Sequence, residues 1–255
     1  NQVVALTSTN AVLQVLPNSN APSTIVNGRL AVSPVSAPGS ALVTFAGGFS
    51  GGFTFYTTDG SAPTTSSLLY TAPFTLTNSA TVRAMSLSAD FLQTSEAPPV
   101  SLVVLPVYSL ATSVSGSGSV SVNPASGPYV SNSVVTLTAT AASNWAFSFW
   151  SGALNGSSNP ATLTMSGPRS VQANFVPTAF PFTLTTPGGG TPTLNGVSIA
   201  PNTYYPTGSV VSLAATPASG WTFLRWQGTV ADNVNPVNVT MTQTQSVQAI
   251  FGTVV

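Results

Sequence analysis

Through most of the chain, apolar and polar residues alternate in short runs, with Gly, Pro, Asn and Ser between the runs. A period of two places one face of each run against a core and the other in solvent, so the pattern predicts strands. It predicts strands over 41–45, 53–58, 70–76, 80–87 and 100–105, with a turn at Asp59-Gly60. Further on, residues 113–123 alternate around Gly116-Ser117-Gly118, which predicts a hairpin. Strands follow over 134–139, 145–150, 161–165 and 170–175. The start of the chain reads differently. Val3, Val4 and Leu6, then Val12, Leu13, Val15 and Leu16, form two nearly unbroken apolar stretches, as in a strand buried on both faces. Three roles fit them: an extra edge strand on the first module, a donor strand completing a neighbour's sheet, or a linker.

The chain then repeats itself. Shifted by seventy-six positions, residues 205–251 lie over residues 129–175 without a gap. Trp145, Phe147, Trp150 and Phe175 fall on Trp221, Phe223, Trp226 and Phe251, and Asn159-Pro160 falls on Asn235-Pro236. What recurs is the apolar and turn framework, while small polar residues vary. Packing units diverge in this way, and the eight recurring aromatics are read as core.

Seven or so strands per unit, with turn signals about every ten residues, predict an all-β fold. The expected architecture is a tandem array of three small immunoglobulin-like β-sandwich modules with an N-terminal extended strand. The segments are 1–30 (extended, a possible donor strand), 31–106, 107–177 and 178–255. Two resemblances fit this division. The string from Tyr56 through Thr57, Thr58, Asp59, Gly60, Ser61, Ala62 and Pro63 to Thr64, followed by Tyr70-Thr71-Ala72-Pro73 and residues 80–84, resembles the chitobiase/β-hexosaminidase C-terminal domain family. That resemblance implies a sandwich appended to secreted enzymes and surface proteins, and no reaction. The Trp-x-Phe-x-x-Trp-x-Gly pattern with its closing Ser-Val-x-Ala-x-Phe, present in both copies, resembles the divergent InlB B-repeat family of bacterial surface and secreted proteins. It implies β-rich tandem spacers. Near its start the second copy replaces Gly-Ser-Gly with the glycine-rich residues 187–192, which leaves the register of its first hairpin open.

Charge changes the picture. Of 255 residues only Arg29, Arg83, Arg169, Arg225, Asp59, Asp90, Glu96 and Asp232 are charged, and Lys, His and Cys are absent. Without a basic patch, nucleic acid lacks the electrostatic term that binds it. Without His or Cys there is no imidazole or thiolate metal site and no His-based triad. Four carboxylates divided between the first and last modules do not pair as a glycosidase needs, and Ser or Thr without a base is inert. The expectation is no enzyme, no cofactor and no catalytic or metal site. Asp59 reads as a turn residue, and Asp232-Asn233 with Asn235 reads as loop chemistry, since one carboxylate is too few for tight calcium. Asn155 and Asn238 head glycosylation sequons, read as marks of exposed loops.

No apolar run approaches the ~20 residues of a membrane helix. The resemblances imply an extracellular or cell-surface address, and since no signal-like segment opens the chain, it is read as the mature form after signal-peptide removal. A surface without Lys and with zero net charge is poorly defended against association. The favoured expectation is therefore a structural subunit that self-associates into a fibre or homo-oligomer through strand donation and module faces. An adhesion or spacer segment, or a glycan-binding accessory module meeting surface glycans, are the alternatives.

Overall fold

The computed structural model describes residues 20–253, all of them strand, turn or loop. The apolar residues from Val3 to Leu16 lie outside the described residues. The chain divides into two compact units. One runs to Tyr108 and includes Pro128–Ser131; the other holds Ser109–Gly127 and the remainder.

The first unit is a sandwich built from β1 (Pro22–Val26), β2 (Arg29–Leu30), β3 (Val35–Pro38), β4 (Ala41–Gly47), β5 (Phe53–Thr57), β6 (Leu68–Leu69), β7 (Phe74–Leu76), β8 (Ala80–Leu87), β9 (Thr94–Glu96) and β10 (Val100–Leu105). One sheet runs β2-β1-β4-β7 and the other β3-β10-β8-β5-β6, with β9 on β8. Alternation does the work: in β1 every second residue is buried, and in β8 Val82, Ala84 and Ser86 face in. Rings fill the centre. Tyr56 stacks on Phe74 at 4.4 Å, and Phe45 meets Tyr70 edge-on at 5.0 Å, geometries favoured by the ring quadrupole.

Three expectations need correction here. The module starts at β1, not at residue 31, because Pro22–Val26 pairs with β4 along its whole length. Asp59-Gly60 does not close a two-residue hairpin: β5 pairs with β8 and with the short β6, so residues 58–67 form a longer loop. Of the strand expected over 70–76 only β7 forms, and the short β6 just before it lies in the opposite sheet. Pro73 between them has no backbone N–H to give to a ladder.

The first repeat follows as β11 (Val107–Tyr108), β12 (Leu110–Ser115), β13 (Gly118–Asn123), β14 (Tyr129–Val130), β15 (Val134–Ala141), β16 (Trp145–Gly152), β17 (Ala161–Thr164) and β18 (Arg169–Pro177). β11 pairs with β14, both counted with the first unit. The other six strands form two three-stranded sheets, β12-β18-β16 and β13-β15-β17. The second repeat is β19 (Ala179–Thr185), β20 (Gly190–Leu194), β21 (Thr203–Pro206), β22 (Val210–Pro217), β23 (Trp221–Gly228), β24 (Val237–Thr240) and β25 (Gln245–Thr253). Its sheets are β21-β19-β25-β23 and β20-β22-β24. Thr178 alone separates the last strand of one repeat from the first of the next. Its N–H donates to Asn144 O at 2.7 Å and its carbonyl accepts from Thr207 N at 2.9 Å.

Gly116-Ser117-Gly118 is not a hairpin turn. β12 pairs parallel with β18, while β13 pairs antiparallel with β15, so the turn crosses from one sheet to the other. The glycines are there for space: a Cβ on Gly118 would sit 2.4 Å from the Phe175 ring, and one on Gly116 would sit 2.7 Å from Trp145. Gly190 and Gly189 stand against Phe251 and Trp221 in the same way. That settles the register of the second copy. Val122 faces Leu137 in the first repeat, and Leu194 faces Leu213 in the second. The offset is seventy-two on one strand and seventy-six on the other, so four residues are inserted between Leu194 and Tyr205.

Candidate functional site

The recurring aromatic strand solves a spacing problem. Phe147 and Trp150 are three apart, yet both point inward, which strict alternation forbids. The register between β16 and β18 shifts between Phe147 and Phe149, and that between β23 and β25 shifts between Phe223 and Arg225. One extra residue in the strand turns the next side chain back to the core. The result is the same in both repeats. Phe147 lies 5.0 Å from Trp150 at 52°, and Phe223 lies 5.0 Å from Trp226 at 53°. Phe175 and Phe251 close each cluster edge-on at 5.9 and 6.0 Å.

The tryptophans divide into two classes. Trp150 and Trp226 are fully buried. Each indole N–H donates to a loop carbonyl, Ser158 O at 2.9 Å and Val234 O at 3.0 Å. Trp145 is half-buried, whereas Trp221 is 39% exposed, which departs from its reading as core. Both stand at the first residue of their strand, and each ring packs beside a glycine, Gly116 or Gly189. Among exposed rings, Phe53 and Phe91 stack on each other at 5.6 Å, and Tyr204 points outward while Tyr205 packs edge-on against Phe182 at 6.3 Å. Burial holds the Tyr205 hydroxyl above the usual tyrosine range.

The carboxylates are occupied with local structure. Asp59 Oδ1 accepts from the Ser61 hydroxyl at 2.6 Å and the Ser61 N–H at 2.9 Å, which hold its carboxyl below the usual range. Asp90 accepts in the same way from the Ser88 hydroxyl at 2.5 Å and Leu92 N–H at 3.1 Å, with the same effect. Glu96 Oε1 takes both Nε and Nη2 of Arg83, at 2.8 and 2.5 Å. Asp232 Oδ1 accepts Val234 N–H at 2.9 Å, and Asn235 spends its amide on Ala215. No group of three or more His, Cys, Asp or Glu that suits a metal occurs among the described residues. Asn155 is exposed in a loop, whereas Asn238 is exposed on β24, a strand and not a loop.

The feature that sequence reasoning missed is a groove at one corner of the first sandwich. β2 covers only Ile25 and Val26 of β1, and β3 covers only Leu102–Leu105 of β10. Where both edge strands stop short, an opening of about 450 Å³ remains, lined by residues 21–24, 30–33 and 97–100 together with Gly47. Thr24, Ala97 and Val100 form its buried floor, and Val32, Pro98 and Pro99 its exposed rim. None of the lining residues is charged. The doubled proline was the available signal, since it ends pairing along that edge.

Comparison with known proteins agrees with this architecture. The model of the chitobiase/beta-hexosaminidase C-terminal domain matches residues 37–97. The divergent InlB B-repeat domain matches twice, at 108–179 and 182–254. Neither is a catalytic domain. No curated protein matches the chain. Among solved structures the chain is similar to the Sidekick-1 immunoglobulin domains 1-5, at 8% identity over 87% of this chain and 53% of that one, with a TM-score of 0.23. It is also similar to Sidekick-1 immunoglobulin domains 1-4, at 7% identity over 88% and 67%, again with a TM-score of 0.23. The chain spans about half the length of the first of these. No helix among the described residues is long and apolar enough to cross a membrane. With both matches covering more than half of its length, the chain belongs to the divergent InlB B-repeat family.

Proposed function

We propose that this chain is a non-catalytic, extracellular structural protein whose copies associate into a surface filament or layer. Strand donation by the apolar N-terminal residues and contacts between module faces join the copies. The observation that carries this reading is the state of the sheet edges. In the first repeat the four edge strands are β12, β16, β13 and β17, and none contains a charged residue or a proline. Lone β proteins blunt such edges with Lys, charge or Pro, because a bare edge templates pairing with another chain. Exposed Val114, Val134, Phe149 and Val176 add apolar surface to the same repeat.

The adhesion or spacer alternative draws on the family match. Against it, the two repeats share one compact unit and are joined by a single hydrogen-bonded residue. The glycan alternative calls for neighbouring coplanar aromatic faces. The exposed pair Phe53 and Phe91 instead stack on each other, so each covers a face of the other. Electron microscopy of the full chain and of a chain lacking residues 1–19 tests the proposal. Ordered polymers from the first and none from the second are expected. Equal polymerisation by both removes strand donation.

A further inference from the structure

We infer that this chain bears tension along its length, with the ladders between its entry and exit strands as the force-bearing clamps. The inference goes beyond the assembly reading and concerns a single molecule. It starts from strand direction. Among the described residues three ladders run parallel: β3 with β10, β12 with β18, and β19 with β25. The other ladders run antiparallel. Each parallel ladder joins an early strand of its module to the last one. The second repeat opens on β19, only the two-residue β11 precedes β12, and β1 and β2 precede β3.

Direction decides how a ladder meets tension. Leu110 lies opposite Arg169 and Ser115 opposite Asn174, so β12 and β18 point the same way. The chain enters this ladder at Leu110 and leaves it past Pro177. Tension pulls Leu110 back along β12 and Pro177 forward along β18, and the two strands shear past each other. The bonds of a parallel ladder are evenly spaced, so they share that load and fail together. An antiparallel pair of entry and exit strands would put both chain ends at one end of the ladder, and tension would open its bonds one at a time. β19 and β25 repeat the parallel arrangement, from Phe182 opposite Gln245 to Thr185 opposite Gln248.

Local chemistry serves this geometry. Gly116-Ser117-Gly118 carries the chain to the other sheet and so leaves β12 lying beside β18. The turn passes close over the exit strand: a Cβ on Gly116 would sit 2.5 Å from the Phe175 carbonyl oxygen. Between the repeats there is no slack. Thr178 alone separates β18 from β19, and its N–H and carbonyl are both hydrogen-bonded. Load leaving one clamp therefore passes directly to the next. With no cysteine in the chain, no disulfide bypasses the ladders.

The missing cysteines also make the test clean, since introduced pairs attach handles at chosen points. Single full chains are pulled in two directions at equal loading rate under reducing conditions. Ser109→Cys with Thr178→Cys, both exposed, loads the first repeat along its ladder, as tension on the chain does. Ser109→Cys with Pro168→Cys peels the same ladder from one end, where the Arg169 N–H donates to Ser109 O at 3.0 Å. The first direction is expected to need several-fold more force than the second, and the repeat to lengthen by about 200–240 Å when it gives way. Forced unfolding follows the unfolding barrier, and a fold that is stable without a clamp has no preferred direction. A third pull, from Asn1→Cys to Val255→Cys, alters no ladder residue and decides alone if either internal pair disturbs folding. It is expected to give steps of the same length near the higher force. Equal force in the two internal directions, or end-to-end unfolding at the peeling force, would overturn the inference. Because one molecule is pulled at a time, the outcome is separate from whether copies associate.

Discussion

Asn159 holds Ala139 by both ends of its side-chain amide. Oδ1 accepts the Ala139 N–H at 2.9 Å, and Nδ2 donates to the Ala139 carbonyl at 2.7 Å. Asn235 does the same to Ala215, at 2.9 and 2.7 Å. The amide continues the strand ladder where no strand is present. With the indole bond to Ser158 or Val234, it ties the long loop after the aromatic strand to the sandwich at two adjacent points. Replacing Asn235 with Ala leaves a buried N–H and C=O without partners. A loss of about 2–4 kcal/mol is expected, read by urea denaturation. Asn238→Ala, exposed on β24, serves as the control and is expected to change little.

All four tryptophans lie in the second unit, so their fluorescence follows that unit alone. Trp226→Ala removes a fully buried ring and its hydrogen bond, and is expected to cost about 3–5 kcal/mol. Trp221→Ala removes a ring that is 39% exposed, and is expected to cost about 1–2 kcal/mol. Iodide is expected to quench Trp221 and to leave Trp150 and Trp226 nearly untouched. Equal costs, or equal quenching, would contradict the division into two classes.

Gly118 has an ordinary φ, so its need for glycine is steric. Ala there is expected to cost about 1–3 kcal/mol by overpacking against Phe175. Gly167 also has an ordinary φ and nothing within 4 Å of an added Cβ. Gly167→Ala is expected to be neutral or to stabilise by about 0.5 kcal/mol through the unfolded chain. Thermal unfolding of the two variants separates these outcomes.

Stability is expected to be flat through neutral pH, because no His or Cys side chain titrates there. Asp59 and Asp90 have folded pKa values held below their unfolded value near 3.8. Their contribution is complete above that value and is lost as pH falls through the folded pKa. Tyr205 is raised above 10.0, so its contribution is complete below that value and is lost as pH rises through the folded pKa. Melting temperature against pH is expected to sag below about 4 and above about 10. Tyr205→Phe is expected to weaken the alkaline loss alone.

The strands were legible because alternation records burial directly. β8 and β10 lie where the pattern put them, over Ala80–Leu87 and Val100–Leu105. Pairing was less legible. Gly116-Ser117-Gly118 has the composition of a hairpin turn, and nothing local says that β12 and β13 join different sheets. Trp221 matches Trp145 in sequence, but exposure depends on the turn that it covers. Pro98-Pro99 marked a place where pairing stops but not the groove itself, which is defined by where two edge strands end, and strand ends are set by partners distant in sequence.

Sedimentation velocity over a range of concentrations tests self-association most directly. The full chain is compared with a full chain carrying Leu13→Asp and Val15→Asp, which places two charges in the apolar N-terminal stretch. The unsubstituted chain is expected to shift to large, fast species as concentration rises, and the substituted chain to stay a monomer throughout. A single monomeric boundary for both, or polymers of equal size from both, would contradict the account.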